Sequence, residues 1–308
     1  MPYERPRTTR LTVFWLSALI AVPSVSSVTG PSGDDVAADI RALASSATNE
    51  DRFSALTAML RGRDLAFTVE TFTLERPIGK ESRRDGRNVV VTLAGDLDGG
   101  LVIGSHYDAV RLPDGSLSRG AVDNAASSVM LVRLADALRA EPRRARLRFV
   151  WFDMEEQGLV GSAEYTRRHA ADRIDAMLNF DINGYGDTIV FGPAQRLDNA
   201  AIRRALVMTC GAEDIACVAF PQMPPGDDRS FADAGIPAIS IATLPAVEAH
   251  QFWLLRAAGA SSGLADGFAP RLARIIHSSE DTPERVDLES VATTLRFARS
   301  LVRALTPD

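Results

Sequence analysis

The feature that most constrains the fold is an apolar run that ends abruptly in carboxylates. Residues 148–158 place Asp153, Glu155 and Glu156 directly after the run Phe-Val-Trp-Phe, which is typical of a buried strand. In open α/β sheets, ligands bind at the carboxyl ends of the strands. Adjacent side chains on an extended backbone point to opposite sides, so Glu155 and Glu156 can have different tasks, one binding a metal ion and the other moving a proton. This segment alone leaves a second interpretation open, in which both acids complement the N-terminal end of a helix starting near Gln157.

Strands and helices alternate along most of the chain. This alternation predicts an α/β fold, a single globular domain with a mostly parallel central sheet and helices on both faces. An alternating segment at 67–74 predicts an edge strand, and an amphipathic helix is predicted to open at Pro283. The predicted strands lie at 88–94, 101–104, 147–152, 177–181, 188–191, 216–220 and 236–241, and the predicted helices between them at 125–139, 161–171 and 198–209, with Asn124 as the cap of the first.

The first residues have a different composition from the rest. Three arginines within the first ten residues precede an apolar run at 11–22 and then small residues, which predicts a signal peptide at 1–26, cut after Ser26. An uncleaved anchor is the alternative. Cleavage would leave a domain at 27–308 with no stable membrane span, in a secreted or periplasmic protein. Within it, 34–62 predicts two helices, and the segment at about 34–76 is open to two interpretations, a propeptide or a fixed part of the domain.

Charge and cysteine content narrow the possible partners. The formal charge is -6, and because the leader contributes +3 and -1, the remainder carries about -8. An acidic chain of this kind is not expected to bind nucleic acid. Cys210 and Cys217 are the only cysteines, and in an exported protein they could close a short disulfide loop or remain core thiols. The sequence gives no prediction of oligomeric state.

Metal-capable side chains follow several of the predicted strands. They are His106 and Asp108 after the strand at 101–104, the two glutamates after the strand at 147–152, and Asp181 at the end of the strand at 177–181. Asp123, before the helix at 125–139, and His277, on a loop near the C-terminus, are two further candidates. Nitrogen and carboxylate ligands without thiolate suit catalytic zinc or another divalent ion with open positions. Three carboxylates and two histidines could supply two ions about 3.5 to 4 Å apart if one carboxylate bridges them.

The ordered set of motifs resembles the zinc-dependent exopeptidases of the bacterial leucyl aminopeptidase and aminopeptidase Y type. The resemblance spans about residues 88–305 and rests on the order of the motifs, since each is weak alone. The motifs are Ser105-His-Tyr-Asp108, Gly120-Ala-Val-Asp-Asn124, Phe152-Asp-Met-Glu-Glu-Gln-Gly158 with Gly161-Ser162, Asn179-Phe-Asp181 and His277-Ser-Ser-Glu-Asp-Thr282.

The resemblance implies a two-zinc centre that acts on peptides with a free N-terminus. Asp123 would bridge the ions, Glu156 and His277 would complete one site, and His106 with Asp181 would complete the other.

It also implies roles for two further acids. Glu155 would be the general base, and Asp108 would orient the His106 ring by accepting its other N–H. Asp153 is expected to support the strand end, and Asp281 to orient the His277 loop or cap a turn. The remaining histidines, His169 and His250, are not expected to take part.

One segment departs from the family pattern. Many relatives carry Ser-Asp-His before a phenylalanine, where this chain has Asp227, Asp228, Arg229 and Ser230 before Phe231. Asp227 keeps the acid, but Asp228 replaces the histidine, which puts substrate preference in doubt. Arg229 is expected to neutralise the two aspartates, and pairing with a substrate carboxylate is the alternative.

Two other functions remain possible. Single-zinc glutaminyl cyclases have a fold similar to the one expected here. They carry Asp-His-x-Pro-Phe where this chain has Asp-Asp-Arg-Ser-Phe, and a Trp before the last histidine where this chain has Ile276. Both differences favour a peptidase. A non-catalytic binding ectodomain would lack some of the metal-ligating residues, whereas this sequence has a suitable residue at each of those positions.

Overall fold

The computed structural model of the chain describes residues 33–77, 83–193, 200–258 and 270–306. The predicted signal peptide lies outside these residues. Gly33–Asp308 form one compact unit. The helices are α1 Gly33–Ala44, α2 Asn49–Gly62, α3 Ala126–Leu138, α4 Val160–Arg168, α5 Ala200–Glu213, α6 Asp228–Asp233, α7 Ala246–Ala258, α8 Leu272–Ile275 and α9 Leu288–Leu305. The strands are β1 Thr68–Thr73, β2 Asp85–Leu93, β3 Gly100–His106, β4 Arg146–Phe152, β5 Ala176–Phe180, β6 Thr188–Gly192, β7 Cys217–Ala219 and β8 Ala238–Leu244.

The strands form an eight-stranded sheet in the order β1-β2-β4-β3-β5-β8-β6-β7. The four central strands, β4, β3, β5 and β8, run parallel to one another. Antiparallel pairing adds β2 and β1 on one side and β6 on the other. The predicted α/β fold with a mostly parallel sheet is confirmed, as is the predicted edge strand, which is β1.

Side chains of the central strands pack against helices on both faces of the sheet. Leu101 and Ile103 of β3 belong to the large core cluster that contains α3 and α9 residues. Val102, between them, belongs to a second cluster with Phe152, Tyr165 and Phe231. Tyr165 lies on α4 and Phe231 on α6, so these two helices pack on the other face of the sheet. All seven residues of β3 are buried. Successive side chains of β3 point to opposite faces of the sheet, and both faces are covered by helices, as predicted.

One predicted helix cap and one predicted helix start are wrong. Asn124 does not cap α3, which begins at Ala126, because its side-chain oxygen accepts instead from the Ile182 N–H, while its amide donates to Ser105 Oγ and the Phe180 carbonyl. The C-terminal helix begins at Leu288 rather than at Pro283, which opens a short 3₁₀ turn. Asp287 accepts a hydrogen bond from the Glu289 N–H and so satisfies one of the free donors at the start of α9.

Cys210 and Cys217 form a disulfide with Cα atoms 6.2 Å apart. The bond ties α5 to β7, so the disulfide interpretation of the two cysteines is correct. Among the described residues, none of the helices combines the length and apolar character that a membrane crossing requires.

Candidate metal centre

The carboxyl ends of three parallel strands meet at one edge of the sheet. His106 is the last residue of β3 and lies opposite Phe152, the last residue of β4. β5 ends at Phe180, immediately before Asp181. Parallel pairing therefore brings His106, the acids after β4 and Asp181 to one place, as the positions of the motifs predicted.

Three side chains form what we call the buried cluster: His106, Asp123 and Asp181. His106 Nε2 lies 3.1 Å from Asp123 Oδ1 and 3.6 Å from Asp181 Oδ1. The exposed fractions of these side chains are 2%, 7% and 24%. One imidazole nitrogen thus faces two carboxylate oxygens at one point, which is the donor arrangement of a zinc site.

A second group, the outer cluster, consists of Asp123, Glu156 and His277. His277 Nε2 lies 3.2 Å from Asp123 Oδ2 and 3.1 Å from Glu156 Oε2. The His277 side chain is 53% exposed, in contrast to His106. Asp123 therefore turns one carboxylate oxygen to each cluster, and the predicted ligand set converges in the predicted two groups.

Glu155 and Glu156 reach the site by a route different from the predicted one. The strand ends at Phe152, and the chain turns at Met154, whose φ is +58°. The two glutamates therefore lie on a turn rather than on extended backbone. The alternative that they serve a helix near Gln157 is also wrong, because α4 begins at Val160. The turn still separates their positions, since Glu156 joins the outer cluster and Glu155 is a member of neither.

Asp108 organises this turn as well as the His106 ring. His106 Nδ1 lies 3.2 Å from the main-chain carbonyl oxygen of Asp108 and 3.5 Å from its carboxylate Oδ1. The same carboxylate accepts hydrogen bonds from the main-chain N–H groups of Glu155 at 3.1 Å and Glu156 at 3.3 Å. Asp108 is fully buried, so these bonds hold the β4 turn against the β3 end. The contact with the glutamate backbone was not predicted, because it depends on a turn that has no sequence signal.

Asp281 fixes the segment that carries Asp123. Its two carboxylate oxygens accept from the main-chain N–H groups of Val122 at 2.6 Å and Asp123 at 3.1 Å. Burial raises the pKa of Asp281 to about 6. A peptide bond between Asp123 and Asn124 in the cis form lies in this segment, and the Asn124 side chain accepts from the Ile182 N–H. Asp281 thus links the His277 loop to Asp123, which is a more specific role than the predicted orientation of the loop.

The site concentrates negative charge that burial makes costly. Burial raises the pKa of Glu156 to about 7 and raises that of Glu155 well above its ordinary value. Hydrogen bonds to Asp123 and Glu156 raise the pKa of His277 to about 11. Burial opposes the charged form of His106, yet its acidic neighbours, Glu155 first among them, raise its pKa. In the absence of a metal ion, protonation of the two glutamates and the charged forms of the two histidines both offset this negative charge.

The donor set fits a divalent cation. Glu156 Oε1 and Asp181 Oδ1 are buried oxygens without a hydrogen-bond partner within the described part of the chain. Such oxygens are costly to bury unless something binds them. Histidine nitrogen and carboxylate oxygen around each point suit zinc, with Asp123 available to both points.

The side chains of residues 227–231, where the sequence departs from the family pattern, do not make the contacts that were expected. Asp228 is fully buried and accepts a hydrogen bond from Ser240 Oγ at 2.9 Å. Arg229 forms its ion pair with Asp233 at 3.4 Å, one turn further along α6, so the expected pairing of Arg229 with the two aspartates gives way to a local helix pair. Asp227 is fully buried, and burial raises its pKa to about 7.

Three further residues considered in the sequence lie outside the two clusters. Asp153 is buried and accepts from the Arg87 N–H and from Arg83, which supports the end of β4. His169 binds Glu70 and Asp172, and His250 is exposed with Nδ1 near the Ala246 carbonyl. Neither histidine belongs to the two clusters.

Comparison with known proteins gives the family. Residues 88–302 match the sequence profile of peptidase family M28. The chain belongs to this family. A probable leucine aminopeptidase of Trichophyton verrucosum is 31% identical over 108 residues, which cover 32% of this chain and 29% of that protein. The matched part thus spans less than a third of that relative's length. The family that the ordered motifs predicted is confirmed.

Solved structures share the fold. A zinc aminopeptidase from Bacillus subtilis aligns with a TM-score of 0.57 at 18% identity, over 72% of this chain and 51% of that one. A glutaminyl cyclase from an Acidobacteriales bacterium aligns with a TM-score of 0.67 at 17% identity, over 93% of this chain and 99% of that one. Identities this low show the fold alone, so the two functions have to be separated by the site.

Proposed function

We propose that this chain is an exported metallo-aminopeptidase that removes N-terminal residues from peptides at a two-zinc centre. The observation that supports it best is Asp123, whose two carboxylate oxygens face His106 in one cluster and His277 in the other. Membership of a peptidase family and the aminopeptidases among its relatives and structural neighbours support the substrate class.

The residues of the site have separate proposed roles in binding metal, moving a proton and orienting His106. His106 and Asp181 would hold one ion, Glu156 and His277 the other, and Asp123 both. Zinc bound there would polarise the substrate carbonyl and lower the pKa of a water molecule. Glu155 belongs to neither cluster and is free to take a proton from the attacking water and to pass it to the leaving amine. Asp108 would keep His106 Nε2 turned toward the ions by holding the ring at Nδ1.

Export is part of the proposal. The basic and apolar leader at 1–26 supports it, and so does the Cys210–Cys217 disulfide, since such bonds persist in oxidising compartments. N-terminal sequencing of the protein recovered from the periplasm or medium should begin at Ser27. Recovery of full-length protein from the cytoplasm would contradict export.

Glutaminyl cyclase activity is the second candidate, because the cyclase structure aligns over nearly its whole length. Two ligand clusters with a shared carboxylate favour the peptidase, since a single-zinc enzyme has no use for the second cluster. A non-catalytic ectodomain is disfavoured because the ligands and the candidate base are all present.

The deciding experiment is a panel of aminoacyl-nitroanilides with the purified protein, with and without a chelator, beside a glutaminyl-peptide cyclisation assay and a zinc analysis. We expect release that requires a free amino terminus, is lost with chelator, and accompanies two zinc ions per chain. Cyclisation with one zinc would identify the cyclase, and metal binding without either activity would favour the ectodomain.

A further inference from the structure

Arg52 of α2 is an arginine with no exposed surface, which is unusual for this residue type. Its guanidinium donates hydrogen bonds to four main-chain carbonyl oxygens: Tyr107 at 2.5 Å, Arg119 at 2.8 Å, Gly120 at 3.2 Å and Leu43 at 3.4 Å. A planar group with five fixed donors is suited to holding several acceptors at set positions. Arg52 therefore fixes the backbone of separate segments relative to α2.

Two of these segments lead directly to metal-ligand candidates. Tyr107 lies between His106 and Asp108. Gly120 lies three residues before Asp123, in the left-handed region at φ +49°, and a Cβ there would lie 2.6 Å from the Asp123 carbonyl oxygen. Arg52 thus holds the residue after His106 and the segment before Asp123 at a fixed separation, which sets the distance between these two side chains.

Asn49, one turn earlier on α2, reinforces one of these contacts. Its amide donates to the Ala109 carbonyl at 3.1 Å, and its carbonyl accepts from the Ala109 N–H at 2.9 Å. Residues three apart lie on one face of a helix. Asn49 and Arg52 therefore form a single polar face that holds the chain on the far side of Asp108.

The charge of Arg52 suits the same position. Burial lowers its pKa, while Asp108, Asp281, Asp123 and Glu156 raise it. Arginine remains charged in proteins. A fixed cation behind four acids offsets part of their mutual repulsion and lets them stay together before an ion binds.

From these contacts we propose that Arg52 is a positioning residue of the metal centre, and that the Asn49 and Arg52 face of α2 makes the N-terminal helical pair an integral part of the catalytic domain. The proposal rests on the two-metal function proposed above. It decides between the two interpretations of the N-terminal segment, because a removable propeptide would take the support of both ligand loops with it.

The test compares Arg52→Met with Arg133→Met. Arg133 is a matched control, since it is also buried but donates to Asp39 of α1 at 2.6 Å rather than to a ligand loop. Metal-free protein is titrated with Co²⁺, and the ligand-field absorbance and competition with a chelator give the geometry and the affinity. Thermal unfolding of the metal-free proteins gives the stability.

We expect both variants to unfold at lower temperature, and only Arg52→Met to bind Co²⁺ about 10- to 100-fold more weakly with an altered spectrum. Arg52→Lys should lose less affinity, because it keeps the charge without the fork of donors. If Arg52→Met does not fold, Arg52→Lys and Asn49→Ala provide the test, and both should weaken Co²⁺ binding.

Two results would overturn the proposal. One is that the Arg52 and Asn49 variants bind Co²⁺ as tightly as Arg133→Met and with the wild-type spectrum, which would leave Arg52 a purely structural residue while the metal site stands. The other is that wild-type protein fails to bind Co²⁺, which would remove the proposed function as well.

Discussion

The buried and outer clusters have the same chemistry but different supports. His106 is the last residue of a strand whose residues are all buried, whereas His277 lies on a loop after α8 with φ +57° and a side chain that is 53% exposed. The buried cluster takes His106 from β3 and Asp181 from the residue directly after β5, and α2 holds the chain next to His106. The outer cluster takes His277 from the loop, while Asp281 holds Asp123, which belongs to both clusters. A rigid, desolvated site should bind an ion more tightly than one completed by an exposed loop, so we expect the two clusters to differ in affinity.

The largest effect should follow removal of the residue that the clusters share. Asp123→Ala leaves neither cluster with three donors, so we expect both zinc ions to be lost. Losing several kcal/mol of charge stabilisation lowers kcat/KM by about a thousandfold or more. Zinc analysis after gel filtration and nitroanilide kinetics measure both. Retention of one full zinc equivalent would show that one cluster does not need Asp123.

Glu155→Gln should separate catalysis from metal binding. Glu155 is in neither cluster, so the variant should keep two zinc ions and both steps of the metal titration, while kcat falls by about 10²- to 10⁴-fold through loss of the proton carrier. Parallel zinc analysis and kinetics on Glu164→Gln, a control at a partly exposed glutamate of α4 that pairs with Arg167, exclude a general effect of the substitution. Turnover near the wild-type rate would remove Glu155 as the base.

A metal titration tests the difference in affinity directly. Calorimetry of the metal-free protein should show a tight step and a weaker step, separated by about tenfold or more. His277→Ala should abolish only the weaker step, because its ring serves the outer cluster alone. His106→Ala should abolish the tighter one. Equal affinities for the two steps, or loss of the tight step in His277→Ala, would contradict the comparison drawn from burial.

Much of the site could be predicted because its signals are local. His106, Asp181 and the acids after β4 directly follow apolar runs, and parallel strands bring such ends together without further information. The resemblance of the ordered motifs to a family then predicted the two groups in which the structure places these candidate side chains.

The partners of the supporting residues could not be predicted, because these contacts join residues distant in sequence. Arg52 lies 55 residues from Tyr107, and Asp281 lies 159 residues from Val122. Neither has a pattern that distinguishes it from a surface charge on a helix or in a loop. Asn124 was misassigned for a similar reason, since its sequence position suits a cap while its actual partners, Ser105 and Phe180, come from β3 and β5.

His169 provides a reference outside the metal centre that sharpens the comparison. It too lies between carboxylates, but Nε2 faces Glu70 at 2.9 Å and Nδ1 faces Asp172 at 2.8 Å, so its partners diverge. In His106 and His277, one nitrogen faces two acids. Diverging partners cannot share an ion, and His169 should therefore act as a proton-dependent link between β1 and the end of α4.

The smallest predicted effect follows from this link. The hydrogen bond to Glu70 raises the pKa of His169, with Asp172 adding to it and burial opposing. The nearby arginines, Arg148 on Asp172 and Arg168 on Glu70, limit the effect. A histidine whose pKa is raised by folding stabilises the fold fully below its unfolded pKa of about 6.5, and this stabilisation disappears as pH rises through the folded value.

His169→Gln should therefore lower the free energy of unfolding by about 1 kcal/mol or less near pH 5 and by progressively less above pH 7, with two zinc ions retained. Urea unfolding at a series of pH values measures this, with His250→Gln as the exposed control. The opposite trend, a loss that grows with pH, would show that the neutral ring is the stabilising form. A loss of zinc in His169→Gln would instead show that the site extends beyond the two clusters.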